Sequence, residues 1–425
     1  MKNSACIVLL FLFAFANAAW WLPAPARHCA ATETETVWGF FGHRKINRHA
    51  VYSLPPEMMV FFKPNIDYLT EHAVDADMRR YASKYEAPRH YIDLDRYGEP
   101  PFPALPRNWT DALLCHSDYF FLRQNGDTLP LFSQPVVEAW LGPDSLLAMN
   151  PATGVGEQVL SYRQMRSFFR EEVLPLYYED EWRVSADSFQ LKTGVLLPDC
   201  EAILVVDTFS QHGIVPYQLE RMMGQLTAAF RKGDTDRILR YAADLGHYMA
   251  DAHVPLHTTE NYNGQLTNQL GIHAFWESRL PELFADEYYD FWVGKAGYIL
   301  DQREFFWNTV MESHSLVDSV LTIEKELSQQ YPPDQQYCTE WRGNSAVTVP
   351  CEAYSRAYHD RLGGMVERRM REAILAVSSA WYTAWVDAGQ PDLRPLAGIP
   401  LPPEEAMPAD SLQQPVKPLR PHEGE

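Results

Sequence analysis

The sequence predicts an all-α fold, a multi-helix bundle with a poorly defined insertion. Three observations lead there. Apolar residues recur at helical spacing through most of the chain after Ile214. Continuous strand-like alternation is scarce, and prolines or glycines stand where helices should stop. The 425 residues, 46% of them hydrophobic, supply enough apolar side chain for a large core.

The elements follow in order. Residues 1–18, MKNSACIVLLFLFAFANA, have a short apolar run behind Lys2 and a small-x-small end at Ala16-Asn17-Ala18. This is the pattern of a signal peptide, so the chain is expected to be secreted or periplasmic. Residues 19–37 read as a loose leader, and residues 38–388 as the helical domain. A helix is expected over His43–Leu54, stopped by Pro55-Pro56, and a second over Pro64–Asp77. Pro88 to Asp93 reads as an extended or turn segment.

Residues 100–212 are broken by Gly, Pro and Asn and read as an insertion, helical only over Glu157–Tyr178. Gln218–Arg231 carries Leu219, Met222, Met223, Leu226 and Phe230 at helical spacing, and Asp234–Asp251 follows with Asp234 or Thr235 as cap. Further helices are expected over His273–Phe284, Glu304–Gln330 and Tyr354–Ala388. The Pro-rich stretch 389–425 is expected to be disordered. Beyond the signal run no segment is long and apolar enough to span a bilayer.

The net charge of −20 includes no basic run, which argues against a nucleic-acid-binding module. Six cysteines are present, with no Cys-x-x-Cys, and Cys6 falls in the signal segment. An exported chain permits disulfides. Cys338–Cys351 closes a short loop and is the preferred pair. Cys115–Cys200 is a weaker one, and Cys29 is left over.

Chemistry concentrates in two segments. In DLGHYMADAHVPLH, His247 and Asp251 are four apart and share one helix face, and His257 follows the break at Pro255. In GIHAFWE, His273 and Glu277 repeat that spacing. Facing imidazole and carboxylate pairs are a standard way to hold a divalent metal. Upstream stand His43, Asp77 and His90, with Asp75 as a rival to Asp77. Asp93 and Asp95 could accept hydrogen bonds from a ligand imidazole. His49, His72, His212, His253, His314 and His359 read as structural, and Phe275, Trp276 and Phe284 as core.

Together Trp38-GFFG-His43, Asp77 then His90, His247-YMA-Asp251-AHVPL-His257 and His273-AFW-Glu277 resemble the superfamily of bacterial zinc-dependent phospholipases C and fungal and plant zinc nucleases. The matched segments cover about a third of the chain. The resemblance implies a helical fold and two to three Zn2+ ions. It gives the first ion to Asp77, His90, His247 and Asp251, and the second to His257, His273 and Glu277. The third goes to Trp38, His43 and a bridging Asp251. In the family the third site uses the free amine of an N-terminal Trp. With a mature end at Ala19, Trp38 would offer only its carbonyl, and the third ion would be weak or absent.

The implied activity is phosphodiester hydrolysis by a monomer, with a zinc-bound hydroxide as nucleophile and Asp77 as the catalytic residue that orients or deprotonates it. Glu277 resembles the phospholipase C branch, whereas the Trp38–His43 spacing resembles the nuclease branch. The expected substrate is a phospholipid head group, with a single-stranded nucleic-acid phosphodiester as alternative. A reading of another class is a non-catalytic zinc-containing surface binding protein. The absence of Cys from the ligand set argues against it, because closed structural zinc sites favour Cys.

Overall fold

The computed structural model describes residues 40–398 apart from Asn344. The signal segment, the leader, Cys29, Trp38 and the end of the tail lie outside the described residues.

A central helix, Thr235–Ala252, organises the fold. Asp234 caps it by accepting from the Arg237 amide, and its apolar stripe of Ile238, Leu239, Ala242, Ala243, Leu245 and Met249 is buried. Three helices pack on it: Phe40–Ala50, Val215–Lys232 and Met365–Asp387. The Val215–Lys232 helix contributes Leu219, Met222, Met223, Leu226 and Phe230, the stripe read from the sequence. Trp381 is fully buried, donates from Nε1 to the Ala242 carbonyl at 3.0 Å and stacks on Phe62.

The Phe40–Ala50 helix comes especially close to the central one at Gly246. A Cβ on Gly246 would stand 1.9 Å from Asn47 Oδ1, so only glycine fits there. Asn47 is itself buried and donates to the carbonyls of Leu69 and Ala243. This contact sets His43, one turn before Asn47, beside His247.

The all-α expectation is wrong. Residues 117–207 contain a four-stranded antiparallel sheet in the order β2-β1-β6-β5, from β1 (Ser117–Arg123), β2 (Thr128–Pro130), β5 (Trp182–Ser185) and β6 (Cys200–Asp207). Two smaller antiparallel pairs join β3 (Leu146–Ala148) to β4 (Val159–Ser161), and β7 (Tyr337–Arg342) to β8 (Ser345–Pro350). The fold is therefore mixed, with helices predominating. The strands escaped the pattern search because all eight described are only three to eight residues long. The central strand β6 also buries the adjacent pair Ala202 and Ile203, so its alternation is broken. Residues 100–212 belong to the same compact unit as the helices.

Other boundaries differ in detail. The helix expected over Glu157–Tyr178 is α-helical only over Tyr162–Phe168, followed by a π turn and a 3-10 turn. The helix expected over Glu304–Gln330 is two, Gln302–Ser315 and Val317–Ser328, broken at Leu316. The one expected over Tyr354–Ala388 is Glu352–Arg361 and Met365–Asp387, separated where Gly363 and Gly364 take positive φ. At the start of the expected tail, Leu393 is buried and Trp385 donates from Nε1 to the Pro391 carbonyl. Cys338 and Cys351 form the expected disulfide, whereas Cys115 and Cys200 are free thiols. Among the described residues no helix is long and apolar enough to cross a membrane.

Candidate metal centre

Six helical elements carry the sequence-derived ligands into one buried cluster. His247 and Asp251 lie on the last two turns of the central helix, whose end is fixed from two sides. Pro255 begins a 3-10 turn (Pro255–Thr258), and Val254 before it is extended. The buried Arg369 donates from Nε to the His253 carbonyl and from Nη2 to Ser313 Oγ, which itself donates to the Ala252 carbonyl. A guanidinium at this end complements the helix dipole. The 3-10 turn presents His257.

His90 sits at the end of a 3-10 turn (Ala87–His90) that backbone bonds clamp in place. The Ile214 amide donates to the Pro88 carbonyl, Val215 to Tyr91, Asp93 to His212 and Ile92 to His257. Gly213 has φ +89°, and a Cβ there would lie 2.1 Å from the Tyr91 carbonyl oxygen. His273 and Glu277 belong to a helix that opens at Gly271 and widens into a π turn over Phe275–Arg279. Such π turns occur frequently at functional sites. Phe275, Trp276 and Phe284 are buried as expected.

The distances interlock. Asp251 Oδ2 lies 2.9 Å from His90 Nδ1 and 3.2 Å from His247 Nε2, while Oδ1 lies 3.4 Å from His43 Nε2. Asp77 Oδ1 is 3.7 Å from both His90 Nδ1 and His247 Nε2. Glu277 Oε2 is 2.9 Å from His273 Nε2 and 3.3 Å from His257 Nε2, and its Oε1 is 3.5 Å from His43 Nε2. His43 stacks on His247 with ring centres 4.0 Å apart.

These atoms form four overlapping groups of three that could hold a metal ion: His43-Asp77-His247, His90-His247-Asp251, His257-His273-Glu277 and His43-Asp251-Glu277. Two donors bound to one tetrahedral ion at about 2.0–2.1 Å sit about 3.3 Å apart. Four of the eight separations above, at 3.2–3.5 Å, fall near that value, two at 2.9 Å are of hydrogen-bond length, and two at 3.7 Å are longer. Every member of the cluster is imidazole or carboxylate, the donor set that divalent ions of zinc's kind accept.

Neighbouring groups aim the imidazoles. His247 Nδ1 donates to the Ala73 carbonyl at 2.7 Å, and His257 Nδ1 to the His90 carbonyl, which leaves both Nε2 lone pairs pointing inward. Asp93 and Asp95 have other partners. Asp93 lies 3.6 Å from His212 Nδ1, and Asp95 accepts from Thr259 Oγ1 and the Glu260 amide. At the other ring nitrogen of His90 stands the buried Glu86, with Oε1 3.9 Å from Nε2, held by Tyr248, Arg89 and Arg79. Of the two candidate aspartates, Asp77 joins the cluster. Asp75 accepts from His72 Nδ1 at the surface.

Imidazoles and carboxylates of the cluster shift one another's ionisation strongly. Burial opposes charge on His247, yet Asp251 and Asp77 outweigh it and raise its pKa to about 10. His257 is raised in the same sense: burial lowers it, and Asp251 and Glu277 overcome that. Burial opposes ionisation of Asp251 and Glu277, but the surrounding imidazoles hold both carboxyls below their ordinary range. His90 goes the other way, lowered to about 4 by burial. His253, whose Nδ1 donates to the Met249 carbonyl, belongs to none of these groups, and burial with Arg369 nearby lowers it to about 3.

Access is one-sided. The side chains of His257, His273 and Glu277 are 10–12% exposed, whereas those of His90, His247 and Asp251 are sealed at 1% or less. The mouth therefore lies on the His273–Glu277 side. No protein-family model matches the chain, and no curated protein matches it either.

Proposed function

We propose that this chain is a zinc-dependent phosphoric ester hydrolase, phospholipase C-like in its substrate. The observation that carries the reading is the convergence of eight imidazoles and carboxylates from six separate helical elements into overlapping groups that could hold metal and that share Asp251 and His43. We take the ion to be zinc, which such an N/O set accepts and which the motif resemblance implies. Asp77, His90, His247 and Asp251 would hold the first ion, and His257, His273 and Glu277 the second. Bound zinc would supply a nucleophile at neutral pH and positive charge facing the phosphoryl oxygens.

The protein's own part is orientation and proton transfer. Asp77 Oδ1, beside the first site and within 3.4 Å of Arg80 Nη1, accepts the proton of the attacking water. The carbonyls of Ala73 and His90 fix the ring orientation of His247 and His257. The buried walls around His90 and Asp251 exclude bulk water, so the phosphodiester approaches over His273 and Glu277.

Two features favour a substrate with an apolar part. Leu266 and Leu270, both 68% exposed, stand on the loop that joins His257 to His273. The net charge of −20 disfavours a polyanionic strand. A parallel assay on phosphatidylcholine and on single-stranded DNA, with and without chelator, tests the reading. Chelator-sensitive release of the phosphorylated head group is expected. Chelator-sensitive cutting of DNA alone replaces the lipid with a nucleic acid, and no turnover of either removes the hydrolase.

A further inference from the structure

We infer that Glu277 is a bridging ligand, with its second oxygen completing a third metal site together with His43 and Asp251. This rests on the reading of the cluster as a metal centre but goes beyond the ligand sets that the sequence implied. Those gave Glu277 to the second ion alone, and the third to Trp38, His43 and Asp251.

The argument is about where each oxygen faces. Asp251 divides its two oxygens between two histidine sets, Oδ2 toward His90 and His247 and Oδ1 toward His43. Glu277 does the same from the opposite side. Its Oε2 faces His257 and His273, and its Oε1 faces His43 at 3.5 Å. His43 Nε2 is thus flanked by one oxygen from each carboxylate, at 3.4 and 3.5 Å. Both separations match the roughly 3.3 Å edge between ligands of one tetrahedral ion. Both exceed the usual 2.9–3.0 Å of an N–H···O hydrogen bond.

A lone hydrogen bond from His43 would select one carboxylate and shorten. Equal spacing to two is what a shared ion would impose. The His43 ring has little freedom to choose otherwise, because it stacks on His247 and is buried. The π turn supplies the geometry. Glu277 lies inside it, where the widened backbone sets the carboxylate between His273 on its own helix and His43 on another. The three-residue set leaves one coordination position open for a further donor.

The consequence is a distinctive count. With the first ion held by Asp77, His90, His247 and Asp251, His43 is left to the third site alone and His273 to the second, so removing either should cost one ion. Removing the charge of Glu277 should cost two. Native mass spectrometry and elemental analysis of the full-length protein, loaded with zinc alone, read this directly. Wild type is expected to hold three ions, His43→Ala and His273→Ala two each, and Glu277→Gln one. Loss of a single ion in Glu277→Gln overturns the bridge while leaving the hydrolase reading intact. A wild type that binds no zinc removes both.

Should Glu277→Gln fail to fold by circular dichroism, anomalous diffraction at the zinc edge from wild-type crystals decides. Separate peaks within about 2.2 Å of Oε1 and Oε2 are expected. Both oxygens on one peak, or Oε1 facing none, overturn the inference.

Discussion

Gly246→Ala tests the contact that brings two ligand helices together. The new Cβ would lie 1.9 Å from Oδ1 of Asn47, 2.8 Å from its Cγ and 3.0 Å from its Nδ2. Asn47 is not free to swing away, because it is fully buried and bonded to the carbonyls of Leu69 and Ala243 at 3.3 and 3.1 Å. On an exposed helix the change would stabilise by about 1 kcal/mol through helix propensity. Here overpacking costs about 1–3 kcal/mol, and losing the two buried bonds costs about 1 kcal/mol each. The net expectation is a loss of about 2–4 kcal/mol. Because His247 follows directly, its imidazole should move off the first site, and zinc affinity there should fall at least about tenfold, as ligand misorientation typically costs.

Urea denaturation of the metal-free protein, with zinc titration alongside, measures both quantities. The Asn47→Ala/Gly246→Ala double variant should recover at least about 1 kcal/mol relative to additivity, because the clash is removed. A Gly246→Ala protein that is as stable as wild type, or more so, with unchanged zinc affinity, would refute the reasoning.

The remaining predictions concern the cluster itself. His247→Ala should lose zinc and activity far beyond His253→Ala, whose ring faces Met249; equal losses would show that the wrong face of the helix has been chosen. Asp251→Asn should release more than one ion, since its two oxygens face different histidine sets; full zinc retention by elemental analysis would exclude the bridge. Zinc binding at pH 7 should release protons, because His247 is raised to about 10 and His257 is also raised in the metal-free cluster. Affinity should therefore rise with pH through neutrality and level off toward pH 10, and calorimetry in buffers of different ionisation enthalpy would contradict this by finding no proton release. Arg279→Ala should loosen the β7–β8 hairpin, because its buried guanidinium donates to the Pro350 carbonyl and pairs with Glu340; faster proteolysis near Trp341 reads it, and an unchanged cleavage rate would count against the tie.

Much of the centre was legible because helix geometry converts spacing into proximity. His247 with Asp251 needed only a helix and a stop at Pro255, and both are present. Asp234 as a cap and Cys338–Cys351 as a closed loop were local features of the same kind. What escaped was non-local or independent of side-chain identity. The carbonyls of Ala73 and His90 aim two ligands, and any residue could supply them. Glu86 approaches His90 through a network with Tyr248 and Arg79 that no spacing rule announces. The sheet depends on pairing β1 with β6 across some eighty residues, and short strands carry too little pattern to reveal that. The break at Leu316 has neither Gly nor Pro to mark it.

The central claim is that the buried cluster is a catalytic zinc centre. The most direct test is turnover of a chromogenic phosphodiester by metal-stripped protein as zinc is added back in counted equivalents. Activity is expected to be absent from the stripped protein, to appear as the second equivalent binds, and to stay absent in His247→Ala. Turnover that survives complete metal removal would contradict the account. So would a fully zinc-loaded protein with no turnover, which would instead describe a zinc-holding binding protein.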